Sequence, residues 1–376
     1  MNFKVNSKEL EKLLTKIIPA IPSKTPMPIL EHFLFELKDG LLTIYATDLE
    51  ISLKSSLNVA SEENFSGLLP AKRLFDLVRS LKDTTLVFQV NSNNTINLST
   101  DKGHYKLTFL DSTDYPEIPS FPNDDAGEEL SEVTINGEEL KFSLDKTSFA
   151  MSKEEIRPAM MGTLFDFADD GVRFVATDGH KLVNLLNKNI SHSIENQYIV
   201  PERAISVLQK ILDEKDVKVY VNNSHISFKL SDIELISRLI SQKYPDYKSV
   251  IPLENEFTLK VKREELGEAV KRMMLFSTTN TRKVKFSIST NNLEISAEDI
   301  DTGSSGTENI MCEYSGEPLE IGFNAYYVHE IVSHMAPEEE IIFKLHSPTK
   351  AVIILPASGN EKLDLLMLLM PVRLNS

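Results

Sequence analysis

The chain has 376 residues, 41% of them hydrophobic, with one cysteine and a formal net charge of −16. That length predicts about two or three domains, and a lone Cys312 excludes an intramolecular disulfide and points to a reducing compartment. The acid excess, taken alone, argues against a nucleic-acid partner. The longest apolar run, Leu365 to Val372, is far below the roughly 20 residues that span a bilayer, and Lys8, Glu9, Glu11 and Lys12 interrupt what a signal peptide would keep apolar. A cytoplasmic protein with no membrane partner is expected.

In chain order, the first element is strand-like, Phe3-Lys4-Val5-Asn6, and leads into a helix signal at Ser7-Lys8-Glu9-Leu10. Strand runs are predicted at 33–37, 41–46, 51–59, 86–90, 96–100 and 105–110, with a basic helix opening at Pro70 between them. A segment rich in proline and acid, from Asp114-Tyr115-Pro116 through Pro119, Pro122, Asp124 and Asp125 to Glu129, reads as a linker. The same order then starts again. Val133-Thr134-Ile135-Asn136-Gly137-Glu138-Glu139-Leu140 echoes the opening, and Leu259-Lys260-Val261-Lys262-Arg263-Glu264-Glu265-Leu266 echoes it a second time. Hairpins followed by Ala-x-Asp recur as well. They end at Asp48, Asp178 and Asp299, with turns expected at Asp39-Gly40, Asp170-Gly171 and Asn291-Asn292. A later helix opens in each copy at Pro70, Pro201 and Asn324, and a second linker begins at Tyr244-Pro245-Asp246-Tyr247.

Three landmarks in one order make an internal repeat, and its period is far longer than the roughly 20–50 residues of a solenoid unit. The expected architecture is α+β: three tandem similar domains, 1–128, 129–255 and 256–376, each with two helices packed on β-sheet and about eight strands. Six candidate helical stretches (7–18, 70–82, 138–146, 202–215, 262–272 and 324–335) carry +1, +3, −1, 0, +1 and −1. Their total of +3 leaves −19 on the rest of the chain, so a mildly basic helical surface and acidic remaining surfaces are expected. The plain alternative is that these charges only solvate helices.

Catalytic patterns are missing: there is no Walker A sequence, G-x-G-x-x-G, H-E-x-x-H or paired-cysteine metal spacing. No cofactor or metal is expected. Within Ala176-Thr177-Asp178-Gly179-His180-Lys181-Leu182, Asp178 and His180 could form an acid–base pair or ligate a metal. The first copy has Ala46-Thr47-Asp48-Leu49-Glu50 there, without histidine, so an aspartate that caps a turn is the stronger reading.

The three repeats, the stretch Ala176 to Leu182, Ile321-Gly322-Phe323-Asn324 and the ending Met370-Pro371-Val372-Arg373-Leu374 resemble the bacterial DNA polymerase III β subunit, the sliding-clamp family. Met27-Pro28-Ile29-Leu30, Pro70-Ala71-Lys72, Pro245-Asp246-Tyr247 and the region Met151 to Phe165 extend the match over essentially the whole chain. The resemblance implies a head-to-tail homodimer forming a closed ring, with helices inside around duplex DNA. It implies no enzymatic activity, and as partners the polymerase III catalytic subunit, a clamp loader and repair proteins that bind through short peptides. A lining that slides should attract phosphates weakly and read no bases, and by position Lys24, Lys72, Arg73 and Arg79 are the expected DNA contacts.

The resemblance also implies a peptide pocket of Arg157, Thr177, Gly179, His180, Lys181, Leu182, Pro245, Val250, Asn324, Tyr327, Met370, Pro371, Val372 and Arg373. Leu182, Val250, Met370 and Val372 would supply apolar lining, Leu182 with His180 on the wall facing the tail, and methionine would adapt to varied side chains. The tail 370–374 would also complete a sheet as a last strand. Dimer contacts are expected from Tyr105, Leu107 and Leu110 on one side and Leu275 and Phe276 on the other. Lys102, His104 and Lys106 would then face Glu298, Asp299, Asp301 and Glu308. Glu154, Ala159, Glu202 and Ser249 depart from the residues usual in the family, which bears on DNA and peptide preference. Two other readings stay open: a clamp-derived peptide-binding scaffold that does not encircle DNA, and a hydrolase built on Asp178 and His180.

Overall fold

A computed structural model describes residues 2–61, 63–122, 130–335 and 338–374. Among these residues every third of the chain holds two α-helices and eight strands in the same order, the three-domain α+β arrangement. By contacts the chain divides into two compact units, 1–138 with 203–239, and 139–202 with 240–376. The second repeat's helices, Gly137–Thr147 and Glu202–Ile211, lie where the chain passes from one unit to the other.

In the first unit the helix Ser7–Ile17 buries Leu10, Leu13, Leu14 and Ile17, one stripe at helical spacing. Asn6 starts it, its side chain accepting from Lys8 N and Glu9 N. The second helix, Ala71–Ser80, packs on the first and buries Ala71, Leu74 and Val78, leaving Lys72, Arg73 and Arg79 in solvent. A four-stranded antiparallel sheet runs in the order Asn2–Asn6, Thr85–Asn91, Thr95–Ser99, His104–Thr108, and Phe3 stacks on Phe88 behind it at 4.6 Å. An eight-stranded sheet joins the first repeat to the second: Ile51–Asn58 pairs with Ile233–Arg238 through Leu53 opposite Leu235.

The second unit repeats that join. Lys181–Asn187 pairs with Leu363–Leu369, Leu182 lying opposite Leu368, inside a twelve-stranded sheet. Its helices Arg263–Met273 and Ala325–His334 approach closely at Gly267, where a Cβ would stand 3.2 Å from Val332.

Four expectations are corrected. The middle hairpin turns at Asp169 and Asp170, because Ala168 already pairs with Gly171, and the last turns at Thr290 and Asn291, because Ser289 pairs with Asn292. The helix expected over 202–215 stops at Ile211, where Asp213 accepts from Lys215 N at 3.0 Å and turns the chain into a strand. The last strand ends at Leu369, and the tail beyond is extended with a single bridge, Val372 to Gly322, since Pro371 has no N–H for a ladder. The first linker holds to the sheet through Phe121, buried with Tyr220 and Ile236, while Asp124, Asp125 and Glu129 lie outside the described residues.

Candidate functional site

The residues expected to form the pocket begin at a turn that the chain makes twice. In the first repeat Thr47 Oγ1 donates to Ile51 O and accepts from Leu49 N, while Asp48 Oδ1 accepts from Glu50 N and Ile51 N. In the second, Thr177 Oγ1 donates to Lys181 O at 2.7 Å and accepts from Gly179 N, while Asp178 Oδ1 accepts from His180 N at 2.8 Å and Lys181 N at 2.9 Å. Asp178 therefore caps a turn, and its second oxygen meets Lys181 Nζ at 3.0 Å. Leu49 stands at φ +75° and Gly179 at +88°, so glycine removes a strain that the first copy tolerates. It also makes room: a Cβ on Gly179 would lie 2.8 Å from Arg157 Nη1.

Lys181 is 4% exposed, and its ammonium also meets Glu330 at 2.9 Å and the Tyr327 ring at 4.4 Å from the centroid. Burial alone would depress its pKa, but the hydrogen bond it donates to Glu330 and the charge of Asp178 outweigh burial and raise it. Burial beside Asp178 raises the Tyr327 phenol as well. The turn is thereby tied to the helix Ala325–His334. His180 stacks on Tyr327 with ring centroids 5.8 Å apart, and Asn324 caps the helix by accepting from Tyr326 N.

The tail closes the arrangement. Met370 N donates to His180 O at 2.8 Å and Val372 N to Gly322 O at 2.8 Å, where a Cβ on Gly322 would clash with the Val372 carbonyl. Met370, just past the strand Leu363–Leu369, and His180, just before its partner strand Lys181–Asn187, are thus adjacent neighbours instead of facing walls. Leu182, 2% exposed, sits in a core of Ala159, Leu164, Val175, Tyr244, Tyr247 and Leu368, so it supports the pocket from beneath instead of lining it. Thr177 is buried too, while Arg157, Gly179, His180, Val250, Met370 and Arg373 are exposed and Pro245, Asn324, Tyr327, Pro371 and Val372 are half-buried. Val250 belongs to a short turn, Tyr247–Val250, anchored by Tyr247 OH donating to Asp166 at 2.9 Å. Sequence reasoning missed Glu330 and the two tyrosines beneath the pocket. Glu330 is the only acid in its helix, which was the available signal.

Of the expected phosphate contacts, Lys24 is exposed after Ala20, and Lys72, Arg73 and Arg79 share one helix. Arg79 lies 3.5 Å from Asp76 and over the Phe75 ring. Among the departures, Glu154 and Glu202 are exposed, Ala159 is buried, and Ser249 donates to Asp246 O. Of the expected dimer contacts, Tyr105 and Leu110 are exposed and Leu275 is 80% exposed. Phe276 is half-buried against Gly306, and Leu107 is buried in its own sheet at 5% exposure, which leaves Tyr105 and Leu110 as the apolar surface there. Glu308 is held by Arg272 in a two-pronged pair at 2.7 and 2.8 Å, and Asp299 accepts from Asp301 N. Among the described residues there is no cluster of three or more His, Cys, Asp or Glu placed for a metal, and no helix long and apolar enough to cross a membrane.

Models of the DNA polymerase III beta subunit match in three parts: its N-terminal domain over residues 1–119, its central domain over 134–246 and its C-terminal domain over 248–373. The chain belongs to the DNA polymerase III β-subunit family. A relative named beta sliding clamp from Chlamydia pneumoniae is 30% identical over the full length of both chains, and one from Chlamydia muridarum is 29% identical over 90% of this chain and 91% of its own. A solved sliding clamp from Bartonella birtlesii, bound to griselimycin, superposes over all of both chains with a TM-score of 0.92 at 30% identity. Another, from Thermotoga maritima, gives 0.89 at 26% over both full lengths. In this β-subunit family context the Thr177–Lys181 turn is a structural cap with an exposed histidine, and its aspartate is fully engaged.

Proposed function

We propose that the protein is a DNA sliding clamp: two chains close head to tail into a ring around duplex DNA, helices inward, and tether the polymerase III catalytic subunit, the clamp loader and repair proteins for processive synthesis in the cytoplasm. The ring has no catalytic activity of its own. Its domains are 1–128, 129–255 and 256–376, and Lys24, Lys72, Arg73 and Arg79 touch phosphates loosely.

The observation that carries the ring is an unfinished repeat. Ile51–Asn58 of the first domain pairs with the last strand of the second, and Lys181–Asn187 of the second pairs with the last strand of the third. The corresponding strand of the third domain, Ser304–Ser315, pairs on its other side only through 312–315, so among the described residues its 304–311 stretch has a free edge. The corresponding last strand of the first domain, His104–Thr108, ends its own sheet. A second copy supplies each edge with the partner its relatives have, a heterologous contact that closes after two copies. Tyr105, Leu110, Leu275 and Phe276 flank the joint.

The pocket on His180, Tyr327, Val250 and the tail 370–373 takes a short peptide with apolar anchors, as expected of a concave, mainly apolar site with few polar fixtures. Retention on DNA tests the ring. The loaded protein should stay on a nicked circle and leave when the circle is cut. Equal loss before and after cutting would favour the scaffold that does not encircle DNA.

A further inference from the structure

The helix Ala325–His334 opens beside the pocket with two tyrosines, and the second, Tyr327, is occupied by Lys181 and His180. The first is not. Tyr326 is 37% exposed, meets Tyr327 edge-on with centroids 6.2 Å apart, and carries the Arg282 guanidinium 5.2 Å from its own centroid. His180, Tyr327, Tyr326 and Arg282 therefore form one continuous row that starts in the pocket and ends on a cation.

Arg282 holds φ +46°, a conformation that side chains rarely adopt. Two backbone bonds lock it there: Arg282 N donates to Thr278 O, and Ala325 N donates to Arg282 O, both at 2.8 Å. Arg272 and Lys285 each hold a carboxylate, whereas Arg282 has no ion-pair partner among the described residues. A guanidinium laid against an aromatic ring still presents its forked donors to a planar acceptor.

We infer that this row is an acid-reading extension of the peptide pocket, in which Arg282, backed by Tyr326, takes a carboxylate carried beside the apolar anchors of a bound peptide. The inference rests on the pocket reading above. A phosphate would also suit a guanidinium, but the unbroken aromatic path from His180 favours the peptide over duplex DNA.

The probes are three labelled, C-terminally amidated decapeptides with the same Leu-Leu-Phe core, flanked on both sides by Glu, Gln or Lys, read by fluorescence polarisation against the full chain. The Glu peptide should bind tightest, about threefold over Gln, with Lys weakest and the spread shrinking in high salt. Arg282→Glu should reverse the ranking. Arg282→Gly, which suits φ +46°, should erase the ranking while leaving the fold intact. Repeating the Gln peptide with a free C-terminus separates a terminal carboxylate from a side-chain one. Binding with an unchanged ranking in Arg282→Glu overturns the extension and leaves the pocket standing. So does a variant that loses affinity and salt slope for duplex DNA while keeping the peptide ranking. If no peptide binds the unaltered chain, the pocket reading itself fails and takes the extension with it.

Discussion

At the scale of single residues, the Asp178–Lys181–Glu330 cluster decides how the pocket turn is held. A buried ammonium between two carboxylates is costly to break from one side, because what remains is an uncompensated buried charge. Lys181→Met leaves Asp178 and Glu330 without their cation and should lower unfolding free energy by about 3 kcal/mol, measured by denaturant titration. Adding Glu330→Leu should recover much of that loss. A single variant as stable as the parent would show the cluster to be incidental. The pH dependence follows from the raised pKa of Lys181. Its contribution is fully present below the ordinary lysine value of 10.5, so it should hold through neutral pH and fade only above that value as the ammonium deprotonates.

At the scale of elements, the repeat tests its own parts. Asn6 and Asn136 both accept from the first-turn N–H groups of the helices they open, Lys8 and Glu9 in one case and Glu138 in the other. Lys262 stands at the third equivalent and makes no side-chain cap. Asn6→Ala should therefore cost about 1 kcal/mol, and Lys262→Asn should stabilise by a similar amount, both read by thermal unfolding. No gain from Lys262→Asn would mean the third helix start is satisfied in another way. The tail is the other element that can be separated. Because the last strand ends at Leu369, deleting 370–376 leaves every strand pair of Leu363–Leu369 in place. Losing well-placed anchors costs about 2 kcal/mol or more each, so peptide binding should become undetectable by fluorescence polarisation while far-ultraviolet circular dichroism stays unchanged.

At the scale of the whole molecule, the proposed ring is tested at its joint and on DNA. Leu275 is a cleaner probe of the proposed joint than Phe276, because Phe276 also packs on Gly306 within the chain while Leu275 is 80% exposed. Leu275→Lys should bury an unpaired charge at the joint, giving monomer by sedimentation and no retention on circular DNA. A dimer that survives would place the joint elsewhere. Binding to short linear duplex should be weak, independent of sequence and steeply salt-sensitive, while retention on a closed circle should tolerate salt. Strong sequence preference on short duplexes would contradict a clamp.

Reading the sequence alone was enough to count the repeats, the helices and the strands, because those depend on local periodicity and on turn chemistry that each segment carries with it. It also marked Asp178 as a cap, since the first repeat keeps the aspartate without the histidine. The turns that slipped by one residue, Asp169-Asp170 and Thr290-Asn291, did so because strand register is set across the ladder and not by the turn residues themselves. The burial of Leu182 and Leu107, the pairing of Lys181 with a helix almost 150 residues further on, and the row from His180 to Arg282 were all out of reach. Each depends on which face of a strand meets which distant element, and only the packed chain decides that.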